Sequence, residues 1–251
     1  MENSEERPFI IWTFRRTGGT SLRRLLYWLS GLEYWQDEAF NDDRELGAIT
    51  SSFLQSKNLV QLEEAVEKAV SVRKNLKHCI EVVPYEVSSA LLRRSVAHGY
   101  RHVILLRANE VDRQVSLEVA RCSGAWAVEE AGPIFAKVKA GEQELPPLNL
   151  DAIAKQLEMD AIALGRVLRK FHEGQIPHTV VFFEDLYSGP LEERAAKLRV
   201  LCATIGLSRA HREKDEAFRG SLMDRDQGTK DIFPFIPNLN EARKMIEAYT
   251  L

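Results

Sequence analysis

Short apolar runs alternate with longer amphipathic stretches along this chain. The runs are rich in β-branched and aromatic residues and have the length of buried strands. They predict strands at residues 9–14, 78–83, 101–107 and 179–183. Directly after the first run, leucines from Leu22 onward occupy the i, i+3, i+4 and i+7 positions of one helix face. The first 30 residues therefore predict a strand, a glycine-containing turn and a helix.

Amphipathic composition together with helix start and stop signals predicts further helices over about 59–76, 87–98, 109–121, 151–171, 191–205 and from 239. Strands that alternate with helices predict a single α/β domain over residues 1–251, with a mainly parallel central sheet flanked by helices. Residues 132–149 contain three prolines and two glycines, and we expect a mobile surface segment there. Residues 224–238 are predicted to be a loop.

Composition narrows the class of protein. The 251 residues are 45% hydrophobic, which is too apolar for a disordered chain. Acidic residues outnumber basic ones by 37 to 34 and the net charge is −3, which argues against a nucleic-acid partner. Any anion site must therefore be local. Three scattered cysteines do not form a disulfide framework or a zinc motif, so we expect no metal and a reducing compartment.

The N-terminal residues are acidic and lack the basic and apolar regions of a signal peptide. No stretch approaches the ~20 apolar residues that are needed to cross a bilayer. We therefore expect no membrane insertion and a cytoplasmic location.

The segment after the first strand has the chemistry of an anion site. Ligands of parallel sheets bind beyond the carboxyl ends of the strands, and the first N–H groups of a helix attract anions. Glycines allow close approach of the backbone, hydroxyl groups add donors, and arginine adds a permanent charge. The segment contains Arg15, Arg16, Thr17, Gly18, Gly19, Thr20 and Ser21. The alternative is a tight turn at the two glycines with Thr17 as the helix cap.

Two common phosphate motifs are absent: the chain has neither a Gly-Lys-Ser/Thr sequence nor a G-x-G-x-x-G sequence. The string R-T-G-G-T-S-L instead resembles the 5′-phosphosulfate loop of bacterial sulfotransferases that use 3′-phosphoadenosine 5′-phosphosulfate (PAPS). Gly19 stands where that family commonly has a hydroxyl residue. The resemblance implies a P-loop-like strand-loop-helix in which residues Arg15 to Ser21 bind the donor. Animal members have a lysine in this loop, and here Arg15 or Arg16 would replace it.

A second resemblance follows the strand at 101–107. Arg107 ends that strand and Ser116 lies in the next helix, in a context similar to the R-x-x-x-x-x-Q-x-V-S-L of trehalose-type sulfotransferases. The resemblance implies that both residues bind the 3′-phosphate of the nucleotide. Lys230 lies in a segment that resembles the family's C-terminal loop and would contact the same phosphate. Taken alone, the favoured alternatives are a surface ion pair for Arg107, a tolerated helix serine for Ser116 and a solvated surface lysine for Lys230.

The segment 35–41 is similar to the G-E-x-[LF]-N sequence of bacterial carbohydrate sulfotransferases, including the nodulation-factor type. The match implies that Glu38 is the general base, while Arg16 stabilises the transferred group. The alternative is that Glu38 is an exposed loop acid.

The expected function is transfer of a sulfuryl group from PAPS to a hydroxyl on a carbohydrate or glycolipid, with 3′-phosphoadenosine 5′-phosphate (PAP) as product. A small-molecule kinase with an atypical phosphate loop and a non-catalytic nucleotide-binding module are the alternatives. The expected partner is a small-molecule or glycan acceptor, and a homodimer through an exposed helix at 59–76 remains open.

Overall fold

The computed structural model describes residues 6–207, 215–223 and 228–250. Five strands lie within these ranges: β1 (Phe9–Thr13), β2 (Tyr34–Glu38), β3 (Asn75–Cys79), β4 (Arg101–Leu106) and β5 (Thr179–Phe182). They form one sheet in the order β2-β3-β1-β4-β5, and every neighbouring pair is parallel. This confirms the predicted α/β class with a parallel central sheet.

Helices follow the strands in the alternation that the pattern predicted. They are α1 (Gly19–Leu29), α2 (Gly47–Ser56), α3 (Leu59–Ser71), α4 (Tyr85–Ala97), α5 (Glu110–Ser123), α6 (Val128–Lys139), α7 (Leu150–Glu173), α8 (Phe183–Tyr187), α9 (Leu191–Thr204), α10 (Asp215–Met223) and α11 (Leu239–Thr250), with a 3₁₀ helix at Thr229–Phe235. The predicted helices at 87–98, 109–121, 151–171, 191–205 and from 239 are confirmed to within about one turn. The helix predicted over 59–76 ends earlier, at Ser71, because β3 begins at Asn75.

The strand predicted at 78–83 lies three residues earlier, at Asn75–Cys79. All five of its residues are buried although three of them are polar or charged. Asn75 shows why this is tolerated: its side chain accepts from the Phe9 N–H at 3.1 Å and donates to Ser30 Oγ at 2.8 Å. Buried polar groups that find such partners cannot be recognised from hydrophobicity.

The structure shows regular and buried parts within residues 132–149, whereas the mobility of this segment stays a prediction. The first part of this segment belongs to α6, with Pro133 inside the helix, so it is not irregular chain. Phe135, Val138, Leu145 and Leu148 are buried in a hydrophobic cluster. In the predicted loop at 224–238, residues 229–235 form the 3₁₀ helix, and residues 224–227 lie outside the described residues.

The described residues divide into two compact units. The first contains those within Met1–Leu106 and Ile162–Met223, and the second contains those within Arg107–Ala161 and Asp224–Leu251. In the first unit, alternate side chains of β1 enter two apolar clusters, with Trp12 in one and Ile11 in the other. The second unit has its own apolar cluster, which α5, α6 and α11 share. The single domain over 1–251 remains a prediction.

The three cysteines form no disulfide: Cys79 and Cys202 are buried and Cys122 is exposed. Among the residues that the structure describes, no helix is both long and apolar enough to cross a membrane.

Candidate functional site

The loop from β1 to α1 has a backbone that requires glycine at one position. Gly18, the residue before the first turn of α1, has φ 78°, in the left-handed region. A Cβ built on Gly18 would lie only 2.3 Å from Cδ2 of Phe183, which packs against the loop. Both the conformation and the lack of space therefore exclude a side chain here. Arg16 also has a positive φ, of 64°, so the loop turns tightly in two places.

Thr17 anchors this loop to the strand that precedes it. The residue is buried, its Oγ1 donates to the Phe14 carbonyl at 2.7 Å, and the same hydroxyl contacts Thr13 Oγ1. The hydroxyl is thus engaged inside the loop, so Thr17 would offer a ligand its backbone N–H.

The N-terminus of α1 is open to an anion. Within the described residues no side chain caps it, and its first turn contains no acidic residue. By contrast, Asn58 caps α3 and Asn109 caps α5 with their side-chain oxygens. The first-turn N–H groups of α1, which have no partner inside the helix, therefore lie at the positive end of the helix dipole without an acidic neighbour on the same turn. Thr20 is exposed there, and Ser21 is half-buried.

The two arginines of the loop differ in their surroundings. The backbone N–H of Arg15 donates to Glu81 Oε1 at 2.8 Å, and its guanidinium Nε donates to the same oxygen at 3.1 Å. Glu81 is buried, with only 1% of its side chain exposed, so this pair balances a buried charge. Arg16 is half-buried at the outer turn of the loop.

Sequence reasoning missed Lys77, which brings a buried cation to the same helix N-terminus. Lys77 lies in β3, only 3% of its side chain is exposed, and its Nζ donates to Thr20 Oγ1 at 3.3 Å. Its aliphatic chain passes the first residue of α1, since a Cβ on Gly19 would lie 3.4 Å from Lys77 Cδ. In the sequence, Lys77 lies between the predicted helix at 59–76 and the predicted strand at 78–83, so neither element included it.

Glu38 is the partner of that lysine. It ends β2, so it is not in a loop, and its Oε1 lies 2.5 Å from Lys77 Nζ. The pairing of β2 with β3 shifts register between Tyr34 and Glu38, and Asp37 has φ 45° in the left-handed region. Such bulges redirect side chains and cost conformational energy. The irregular end of β2 thus directs Glu38 towards Lys77.

A face of α1 extends this cluster away from the loop. Arg23 lies one turn after Thr20, and its Nη1 lies 3.0 Å from Asp37 Oδ1. Tyr27 follows on the same face; burial raises the pKa of its hydroxyl, which lies in the field of Arg23 and Glu38. Within the described residues the Tyr27 hydroxyl and Arg23 Nε are buried without a hydrogen-bond partner. The Tyr27 ring stacks on that of the half-exposed Tyr34, with centroids 4.7 Å apart.

Comparison with protein-family models, with curated proteins and with solved structures gave no match. Across the described ranges, no group of three or more histidine, cysteine, aspartate or glutamate side chains could hold a metal ion. The chemistry of the site therefore has to be argued from its own residues.

A second cluster of predicted residues lies in the second unit. Arg107 Nη2 lies 3.7 Å from Asp112 Oδ2, and Lys230 Nζ lies 2.6 Å from the same oxygen. Arg107 and Lys230, far apart in the sequence, thus share one carboxylate on α5. Ser116 is buried one helical turn after Asp112, on the same face of α5.

The helix that carries Asp112 and Ser116 is fixed by a buried polar network. Arg113, which is 2% exposed, pairs with Asp160 of α7. Gln156 donates its Nε2–H to Asp160 Oδ1 at 2.6 Å, and Arg121 contacts Gln156. Buried networks of this kind restrict the orientation of the helices that they join. The network therefore holds the part of α5 that carries Asp112 and Ser116 against α7.

Proposed function

We propose that this protein is a sulfotransferase that moves a sulfuryl group from PAPS to a hydroxyl of a carbohydrate or glycolipid acceptor. The observation that carries the proposal is the uncapped N-terminus of α1 with Glu38 and Lys77 beside its first turn. An anion site and a carboxylate base at one helix end are the two features that transfer from an anionic donor requires.

The 5′-phosphosulfate binds at the loop of the first unit. The backbone N–H groups of Gly18 to Ser21 donate to its oxygens, and the dipole of α1 favours its charge. Arg16, in the same loop, adds a permanent positive charge beside these N–H groups. This protein has Gly19 where the resembled family commonly has a hydroxyl residue, and the backbone N–H of Gly19 can still donate to the phosphosulfate.

The 3′-phosphate is bound by Arg107, Ser116 and Lys230 of the second unit. Arginine presents a planar fork that suits phosphate, and lysine adds a second charge. Asp112 lies beside both cations, and because it has only one negative charge the three groups together stay positive, which favours a phosphate. This part of the proposal has its own test, which does not depend on the loop.

In the transfer step the oxygen of the acceptor hydroxyl attacks the sulfur atom, and Glu38 accepts the proton of that hydroxyl. The bond between sulfur and the bridging oxygen breaks, and PAP leaves with the electron pair. The N–H groups of α1 and Arg16 stabilise the negative charge that develops on the bridging oxygen. Positioning and electrostatics therefore supply the catalysis, as in phosphoryl transfer.

The cofactor assignment is tested by thermal unfolding with PAP. Since a ligand that binds only the native state stabilises it, millimolar PAP should raise the Tm by several degrees. Arg107→Ala should lose most of this shift, whereas Arg24→Ala, at an exposed position of α1, should retain it. If millimolar PAP does not raise the Tm of the unsubstituted protein, the proposal is wrong.

The reaction is tested with labelled donor and a panel of glycan acceptors. Stabilisation by PAP without transfer to any acceptor would favour a nucleotide-binding module. Greater stabilisation by ATP with Mg²⁺ than by PAP would favour a kinase.

A further inference from the structure

Lys77 lies in an electrostatic environment in which its positive charge is unfavourable without a nearby anion. Its ammonium group is buried and contacts Thr20, in the first turn of α1. The N-terminus of a helix repels cations, and an unpaired buried ammonium is costly. The carboxylate that offsets both effects comes from β2, through Glu38. Glu38 therefore supplies the negative charge that Lys77 needs beside the first turn of α1.

Two donors near Glu38 have unused capacity. The Tyr27 hydroxyl and Arg23 Nε are buried and have no hydrogen-bond partner among the described residues. The charges that act on the Tyr27 hydroxyl include Glu38 and Asp37, so the hydroxyl lies close to the same group of carboxylates. The Tyr27 hydroxyl is thus a buried donor that experiences the charge of the carboxylate that pairs with Lys77.

We propose that Lys77 is a positioning residue that is exchanged between Glu38 and the donor. In the absence of donor, Glu38 holds the ammonium group. The sulfuryl or 5′-phosphate group bound at α1 takes over this ion pair, and the carboxylate of Glu38 is then available to the acceptor hydroxyl. No covalent bond changes in this exchange, which rests on the proposed function and assigns Lys77 a role in it.

The exchange predicts opposite effects of the two partners on ligand affinity. Glu38→Gln removes the competing carboxylate, so PAP should bind about three to ten times more tightly. Lys77→Met removes the cation at similar length, so PAP should bind about tenfold more weakly. Isothermal titration calorimetry of the full chain with PAP measures both. A change that merely loosened the structure would not tighten binding.

The double variant separates exchange from a general effect of charge. If Glu38 acts by holding Lys77, Glu38→Gln should give no tightening when Lys77→Met is also present. The double variant also keeps the buried pair neutral, so it controls for the folding cost of an unpaired Glu38. Equal tightening with and without the lysine would overturn the exchange.

The residues that directly precede β2 and β3 offer a matched control pair, Glu33 and Lys74. Lys74 Nζ lies 2.8 Å from Glu33 Oε2, but 79% of the Glu33 side chain is exposed. Lys74→Met and Glu33→Gln should leave the affinity for PAP unchanged. If the unsubstituted protein does not bind PAP, the proposed function fails. If it binds PAP but Glu38→Gln binds equally or more weakly, only the exchange fails.

Discussion

A carboxylate lies beside the cations of each candidate anion cluster. Glu38 pairs with Lys77, and Asp112 lies within 4 Å of both Arg107 and Lys230. The cations can therefore be held in place without a ligand. An incoming phosphate or sulfate exchanges one ion pair for another, so its measured affinity reports the difference between the two pairs.

Substitution of Lys230 tests the proposal that Arg107, Ser116 and Lys230 bind the 3′-phosphate. Lys230→Ala should weaken the binding of PAP by about tenfold, because one charged contact to phosphate is lost. Adenosine 5′-phosphate, which lacks the 3′-phosphate, should bind with unchanged affinity. Calorimetry with both nucleotides measures the ratio, and an equal loss for both would contradict the assignment. Lys139→Ala is the control, because Lys139 is a half-exposed lysine of the same unit that pairs with Asp231.

The sequence predicted the elements whose side chains follow a simple apolar pattern. β1 and β4 are buried on both faces, and their apolar runs identified them. The edge strand β2 was missed, because it has no buried face and so shows no alternation. β3 was displaced, because Asn75, Lys77 and His78 are polar but buried. Since Glu38 and Lys77 belong to these two strands, the site was predicted only in part.

The conformation of the loop between β1 and α1 requires a residue without a side chain at Gly18, because Phe183 packs directly against it. In Gly18→Ala the new Cβ would be strained at φ 78° and would overlap the ring of Phe183. We expect a loss of about 2–4 kcal/mol in the free energy of unfolding and loss of the Tm shift with PAP. Gly99→Ala is the matched control, because Gly99 has φ 73° but nothing within 4 Å of its Cβ.

Urea unfolding of the two variants separates the clash from the backbone strain. Gly99→Ala should cost about 1 kcal/mol and keep the response to PAP. Equal losses for both variants would show that Phe183 gives way and that the loop tolerates a side chain.

Each of the two units is assembled from two separate stretches of chain, and the sheet lies in the first unit. The centre of that sheet contains two buried histidines. His78 pairs in register with Trp12, and His102 accepts the indole N–H of Trp12 through Nδ1 at 3.1 Å. Burial lowers the pKa of His78 to about 3 and that of His102 to about 4. Both therefore stay neutral in the native protein.

The neutral histidines predict the dependence of stability on pH. Unfolding returns their pKa to about 6.5, so below that pH the unfolded state binds protons that the native state does not. The free energy of unfolding should be insensitive to these groups above about pH 7.5 and should fall as the pH drops from 6.5 to 4. Urea unfolding at a series of pH values measures the slope.

Two substitutions identify the groups responsible. His78→Gln keeps a polar partner for Ser88 but does not titrate, so its slope should be smaller. His172→Gln changes an exposed histidine and should leave the slope as it is. An unchanged slope in His78→Gln would show that acid destabilises the protein elsewhere.

The placement of the three thiols makes this protein convenient for fluorescence work. Burial raises the pKa of Cys202 to about 12 and that of Cys79 well above its ordinary value, so both thiols react slowly with alkylating dyes. Cys122 is exposed near the end of α5, the helix that carries Asp112 and Ser116. A maleimide dye near neutral pH would therefore label Cys122 in preference to the two buried thiols. The emission of that dye would report whether nucleotide binds at α5, as we propose, without any engineered cysteine.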